Sequence, residues 1–366
     1  MPIEVAYSEA LDYLYSFIDY SLTRNLRYTP DKFDLGRMVA LLERLGNPHR
    51  RYPVIHVAGT KGKGSVSAMI TSALKAAGYR VGFYSSPHLQ EFTERIQMNG
   101  EAIPRQALVD LVEQLKPHVE VIQRLTTFEL TTALGFMYFA QQGADVAVIE
   151  VGLGGRLDAT NVVDPLLSVI TSISYDHTKV LGDTLAAIAS EKAGIIKAGK
   201  PLVVSPQKVE ALQVIEQKAA ELNAPLTLVG RDYFFAPHTH SLDGQAFFVW
   251  SADEQSLVNE FIESGGRQTW KPVHLFIPLL EYHQVENAAT AYVALQVIRR
   301  NGLSISEAEI QQGFREVFWP GRFEVLRRNP PVIVDSAHNR DSALKLRLAM
   351  EDYLPGLPVV LLFGAS

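Results

Sequence analysis

Apolar positions along the chain follow two rhythms. Short unbroken runs rich in β-branched residues, at 54–58, 80–84, 144–150, 167–173 and 200–205, read as buried strands. Between them the apolar residues fall at helical spacing. Leu11, Leu14, Tyr15, Ile18 and Leu22 mark a helix over 8–22, and similar patterns cover 35–45, 66–75, 106–115, 128–142, 184–193 and 209–222. Thr126-Thr-Phe-Glu129 opens the 128–142 helix as a capping-like sequence, and Gly78 is placed to stop the 66–75 helix. Such alternation through residue 205 predicts an α/β fold, a parallel sheet with helices on both faces.

The texture then changes. Residues 232–280 are rich in aromatics and turn formers, with Leu242-Asp-Gly-Gln-Ala-Phe-Phe-Val-Trp250 turning into a strand, which predicts a small antiparallel sheet. A helix over 283–300 follows, and Trp319-Pro-Gly-Arg-Phe323 marks a boundary. Beyond it a strand at 331–335, a helix at 341–353 and a last strand at 359–363 make one βαβ unit. A single such unit cannot bury both faces of a sheet, so the C-terminal α/β domain, 317–366, is expected to be cut short.

Composition narrows the class. The 366 residues are 47% hydrophobic, with a formal charge of −6 and no cysteine. No basic field argues for nucleic acid, and disulfides, thiolate metal sites and cysteine catalysis are excluded. The N-terminus lacks a basic region leading into an apolar core, and no apolar run reaches membrane-spanning length, so a cytoplasmic protein that binds no membrane is expected.

The candidate chemistry lies where strands end. Val54-Ile-His-Val-Ala-Gly-Thr-Lys-Gly-Lys-Gly-Ser65 is strand, glycine turn and helix start, a phosphate cradle. Gly59, Gly62 and Gly64 let backbone amides approach an anion, Lys63 supplies a charge, and Ser65 a hydroxyl within reach of Mg²⁺. The strict P-loop spacing is not met, because Val57 replaces the first glycine and Gly64 separates Lys63 from Ser65. An ordinary glycine turn with surface lysines is the alternative. After the second strand, Ser86, His88, Glu94 and Arg95 are candidates for metal or substrate, or else members of a proline turn. Glu150 ends the third strand before Gly152, Gly154 and Gly155, where a carboxylate can hold Mg²⁺ beside the first loop. Asp176 and His177 follow the next strand.

Together these segments resemble the folylpolyglutamate synthase/dihydrofolate synthase family of ATP-dependent Mur-type amide ligases. The carriers are Gly59-Thr-Lys-Gly-Lys-Gly-Ser65, Ser85-Ser-Pro-His88 with Glu94-Arg-Ile96, Glu150-Val-Gly-Leu-Gly-Gly-Arg-Leu-Asp-Ala-Thr-Asn161, Asp176-His177, Glu191-Lys-Ala-Gly-Ile-Ile196, Pro320-Gly-Arg-Phe-Glu324 and Asp335 with Ala337-His-Asn339. The resemblance implies that ATP phosphorylates a carboxylate of dihydropteroate or a reduced folate, and that L-glutamate then displaces phosphate. Residues 1–316 would be the ATP-binding central domain.

By motif, Gly59, Thr60, Lys61, Gly62, Lys63, Gly64 and Ser65 would hold the triphosphate. Ser86 and Glu150 would bind one Mg²⁺ and His177 a second, with Lys192 carbamylated as a metal-bridging group. Lys63, Glu150, His177 and Lys192 form the implied catalytic set. From spacing alone, Lys192 is an ordinary solvated helix lysine. Asn287 resembles an adenine contact, Arg322 a phosphate contact, Asp335 a ribose contact and His338 a glutamate-side residue. Asp158 would pair with the pterin, and Phe128 would stack in the same pocket. A K⁺ site and a monomeric state complete what the resemblance implies. Ser336 and Arg340 stand where the family commonly has glycine and proline. A cell-wall Mur ligase, or a nucleotide-binding fragment without activity, are the competing expectations.

Overall fold

The computed structural model describes residues 2–18, 34–267, 269–337 and 340–364. The chain opens with α1 (Ile3–Tyr15) and α2 (Leu35–Arg44), then enters the sheet at β1 (Val54–Ala58). There follow α3 (Lys63–Ala76), β2 (Val81–Tyr84), β3 (Ile96–Met98), β4 (Glu101–Ala102), α4 (Arg105–Val119), α5 (Thr127–Gln141) and β5 (Val146–Glu150). Next come β6 (Leu167–Ile170), α6 (Thr178–Leu181), α7 (Leu185–Ala193), β7 (Leu202–Val204), α8 (Val209–Glu221) and β8 (Leu226–Leu228).

Among the described residues these strands form one eight-stranded sheet in the order β4-β3-β2-β5-β1-β6-β7-β8. From β2 to β8 neighbouring strands are parallel, while β3 and β4 add an antiparallel edge. Alternation sorts the strand side chains. Ile55, Val57, Val146 and Val148 face α3, whereas Val54, Ala147 and Ile149 face a second core built on α1, α2, α4 and α5. On that second face Ala58, Ile170 and Val204 meet α7 and α8.

The antiparallel sheet is β9 (Tyr233–Ser241), β10 (Gly244–Ser251) and β11 (Val273–Ile277), with α9 (Gln255–Glu263) between its last two strands. α10 (Tyr282–Arg300) and α11 (Glu307–Glu316) then cover α3. A β-carbon on Gly313 would lie 2.3 Å from the Ala73 Cα, so α11 seats against α3 only because that position is bare. β12 (Glu324–Arg328), β13 (Pro331–Val334) and α12 (Arg340–Tyr353) close the chain, packed through Leu280, Phe323 and Ala349.

Three expectations change. The helix expected over 8–22 ends at Tyr15, where the Ser16 hydroxyl donates to the Tyr13 carbonyl, and Leu22 lies outside the described residues. The segment past 320 forms an antiparallel hairpin and a helix rather than a βαβ unit. The apolar run at 359–363 pairs with no described strand, and Val360 and Leu362 are 89% and 93% exposed. The helices α9 and α11 were not expected from apolar spacing.

Candidate functional site

The loop after β1 is braced before it reaches any ligand. The Thr60 and Lys61 amides both donate to the Ser172 carbonyl, at 2.9 and 3.1 Å, which ties the loop to the exit of β6. The amides that lack an intrahelical acceptor are those of the first turn of α3, at Lys63, Gly64 and Ser65. Gly62 turns the chain into that helix at φ +89°, and a β-carbon there would lie 2.2 Å from the Asn287 Oδ1. At Gly64 a β-carbon would strike the Trp319 ring at 2.6 Å. Both glycines therefore let the loop approach α10 and the start of the C-terminal segment.

Each lysine around the loop has an oxygen partner. The Lys63 Nζ is 3.8 Å from the Glu150 Oε1, and the Lys61 Nζ is 3.6 Å from the Asp176 Oδ2. Asp176 also takes the His177 backbone N–H, and the His177 ring is exposed. Lys192 is 5% exposed, and its Nζ donates to the Gly59 carbonyl at 2.8 Å. Burial, reinforced by the nearby Lys63 charge, pushes the Lys192 amine down to about 7. The Glu150 carboxyl is displaced the other way by burial, against the pull of Lys63 and of a hydrogen bond from the Ser86 amide. Lys63, Glu150, Ser86 and Lys192 thus surround the start of α3.

The loop following β5 is fastened at several points. Asp158 caps a short turn at Ala159–Val162: its Oδ1 accepts the Thr160 amide and hydroxyl, and its Oδ2 accepts the Leu153 amide at 2.8 Å. At 4% exposure, burial raises its carboxyl, with those donors opposing. Arg156 pairs with Glu191 through two bonds, and the Asn161 amide donates to the Arg156 and Gly194 carbonyls at 3.0 Å each. Phe128 lies on the Gly152 backbone and Glu129 completes the capping box with Thr126.

On the other side, Asn287 is buried and held by the Gln284 side chain at 3.0 Å. Asp335 accepts the Phe323 and Ala337 amides, one on each oxygen, and Ser336 bonds back to the Gly321 carbonyl, so the two motifs at 320–324 and 335–337 form one unit. Arg322 is half-buried, and its charge reaches both Glu150 and Glu281. His338 lies outside the described residues.

Three residues emerge that the sequence did not single out for chemistry. Trp319, which in the sequence marks only a boundary, covers Gly64. Glu281 and His283 are paired at 3.2 Å where α10 begins. Their polar spacing in Glu281-Tyr-His283 looks like an ordinary helix start, whereas Gln245 of β10 and Tyr353 of α12 both bond to the Glu281 backbone.

A divalent ion fits this donor set in a particular way. Among the described residues no three His, Asp or Glu side chains converge as a cage. The buried Glu150 carboxylate, facing Lys63 at 3.8 Å, is a hard oxygen donor of the kind that holds Mg²⁺ when phosphate oxygens complete the shell.

The chain matches the Mur ligase middle domain family over residues 57–295. It is 39% identical to the dihydrofolate synthase/folylpolyglutamate synthase of Bacillus subtilis over 90% of this chain and 75% of that protein. Against the folylpolyglutamate synthase of Lacticaseibacillus casei it is 35% identical, over 98% of this chain and 79% of the relative. A solved structure described as an FPGS-AMPPCP-folate complex superposes with a TM-score of 0.84 at 35% identity, covering 96% of this chain and 82% of that one.

Proposed function

Because the chain belongs to the dihydrofolate synthase/folylpolyglutamate synthase family of ATP-dependent ligases, we propose that its loop at Gly59–Ser65 and the carboxylate Glu150 bring ATP to a folate carboxylate. The enzyme ligates L-glutamate to folates at the expense of ATP. A carboxylate oxygen attacks the γ-phosphorus, giving an acyl phosphate and ADP. The glutamate amine then attacks the acyl carbon, phosphate leaves with the C–O bonding pair, and the amine loses a proton. A free carboxylate resists amines because oxide is a poor leaving group; phosphate is a good one. The observation that carries this reading is the Lys63–Glu150 pair at the mouth of the helix, a cation for the transferring phosphoryl beside an anion for its counter-ion.

The chain's own groups have distinct tasks in this reading. First-turn amides of α3 and Lys63 hold the β- and γ-phosphates. Asn287, Arg322 and Asp335 contribute adenine, phosphate and ribose contacts from the α10 side, while Phe128 borders the pterin. Mg²⁺, held by Glu150 and Ser86 with a second ion near His177, would supply charge neutralisation between phosphate and carboxylate. Lys192 adds CO₂ to its neutral amine, losing a proton, to become a carbamate, an anionic oxygen ligand where an ammonium would repel the metal. K⁺, a monomeric state and a cytoplasmic location, where ATP and reduced folate are available, belong to the same reading.

Dihydropteroate is proposed as a substrate beside reduced folates because the chain carries Leu157-Asp-Ala-Thr-Asn161. The test is ADP release with Mg-ATP and glutamate, in the presence of dihydropteroate, a reduced folate or neither. Turnover with each pterin supports the bifunctional reading; ADP formation that needs neither pterin sinks it.

A further inference from the structure

β1 is wholly apolar except at one position. Between Val54, Ile55, Val57 and Ala58 stands His56, fully buried, with its backbone paired to β5 on one side and β6 on the other. Its Nε2 lies 2.9 Å from the Thr160 hydroxyl, which itself contacts the Asp158 Oδ1. Among the described residues its Nδ1 has no partner. Burying an imidazole nitrogen unpaired is costly in the centre of a strand where valine would pack without loss.

The direction of each proton follows from the acceptors. Asp158 takes one backbone N–H on each oxygen, and as a carboxylate it accepts the Thr160 hydroxyl as well. Thr160 has a single hydroxyl proton, and it goes to Asp158. The same oxygen must then accept from His56, which fixes the Nε2–H tautomer and leaves Nδ1 bare. Burial, with the Lys197 charge behind it, pushes the His56 imidazole down to about 3, so the ring stays neutral and the relay carries no charge from this end.

We propose that His56 is a positioning residue of this ligase: from inside β1 it orients the Thr160 hydroxyl onto Asp158 and thereby sets the loop over 151–161 that presents the pterin side of the substrate. This rests on the folate reading of the site. The loop is bounded by Phe128 at Gly152 and by α7 at Gly155, so its shape fixes the distance between the pterin wall and the Lys192 end of the site. The phosphate loop leaves the same strand three residues after His56. One rigid strand therefore registers both halves of the reaction.

The experiment combines imidazole ¹⁵N NMR with kinetics on four variants: His56→Gln, His56→Leu, Thr160→Val and the double variant His56→Leu/Thr160→Val. Expected are a neutral Nε2–H ring from pH 5 to 8, and faster amide exchange at Leu153 in His56→Leu. His56→Leu and Thr160→Val raise the KM for dihydropteroate or folate about 10- to 100-fold and leave the ATP KM unchanged. His56→Gln, which keeps a donor at that depth, restores most of the loss, and the double variant is no worse than Thr160→Val alone. An Nδ1–H tautomer, a KM for ATP that rises equally, or additive effects overturn the proposal. If His56→Leu does not fold, a wild-type folate KM in Thr160→Val overturns it equally. Should the wild-type protein turn over no pterin, the folate reading fails by itself, and the tautomer and Leu153 exchange still decide the relay.

Discussion

The amine of Lys192 sits 2.8 Å from the carbonyl oxygen of Gly59, the residue at which β1 gives way to the phosphate loop. That contact holds a buried amine at the loop's rim, and burial pushes it down to about 7, which makes the neutral form accessible near neutral pH. Only the neutral amine adds CO₂, so carbamate should form more readily as the pH rises from 6 to 8. With ¹³C-bicarbonate, a carbamate resonance is expected in the wild-type protein and none in Lys192→Arg. Turnover by Lys192→Ala should fall about 10²-fold, and small carboxylic acids should restore part of it. Full turnover in that variant without rescue would refute the bridging role.

Gly62 carries a second prediction. Its φ of +89° and the 2.2 Å approach to the Asn287 Oδ1 leave no room for a methyl group. Gly62→Ala costs about 1–2 kcal/mol in backbone strain alone and displaces Asn287 as well. Because Asn287 is displaced and the loop is reshaped, ATP affinity should fall roughly tenfold or more, about 1.4 kcal/mol of binding free energy. Titration with a fluorescent ATP analogue reads this directly. An unchanged Kd would mean that the loop binds phosphate without the Gly62–Asn287 contact.

How much of this was legible beforehand depended on how locally each feature is encoded. The loop from Gly59 to Ser65 was legible because glycine spacing and a strand-to-helix switch are local signals, and the Thr126–Glu129 capping box forms as the sequence suggested. α11 is not legible from apolar spacing because Gly313 breaks its apolar pattern and only Ile310, Gly313 and Phe314 are buried, although Ser306-Glu-Ala-Glu309 forms a capping box at its start. The run at 359–363 has strand composition, but a strand exists through its partner, and composition carries no information about that. The depth of Lys192 was hidden for the same reason. Gly155 lets the loop after β5 close on α7 from elsewhere in the chain, turning a helix lysine into a buried one.

Asp158 separates two roles that the motif alone left merged. A pterin contact would make its loss selective for dihydropteroate. Because both of its oxygens already accept bonds from Leu153 and Thr160, Asp158→Ala should instead loosen the loop for every pterin substrate. The unpaired buried amides should also cost about 1–3 kcal/mol of stability. The check is kcat/KM for dihydropteroate and for a reduced folate, together with a thermal melt. A defect confined to dihydropteroate with an unchanged Tm would favour the direct pterin contact.

The Glu281–His283 pair makes stability depend on pH. Glu281 adopts φ +80°, its backbone N–H donates to the Tyr353 hydroxyl, and its carbonyl accepts from Gln245. Its carboxyl is pushed up to about 8 by burial and by Asp335, against the pull of Lys345 and Arg322. His283 is pushed down to about 3, chiefly by burial. Burial thus favours the protonated form of the Glu281 carboxyl beside His283. The folded protein holds this proton more tightly than the unfolded chain, whose carboxyl titrates near 4.5. The stabilisation is then complete below pH 4.5 and is lost as the pH rises through 8. Glu281→Gln keeps a donor for His283 and cannot ionise. Its Tm should match the wild type at pH 5 and exceed it at pH 9, by an amount equivalent to about 1–3 kcal/mol. Parallel Tm curves for the two proteins across that range would show that Glu281 ionises without strain and that the junction of α10 with α12 does not sense protons.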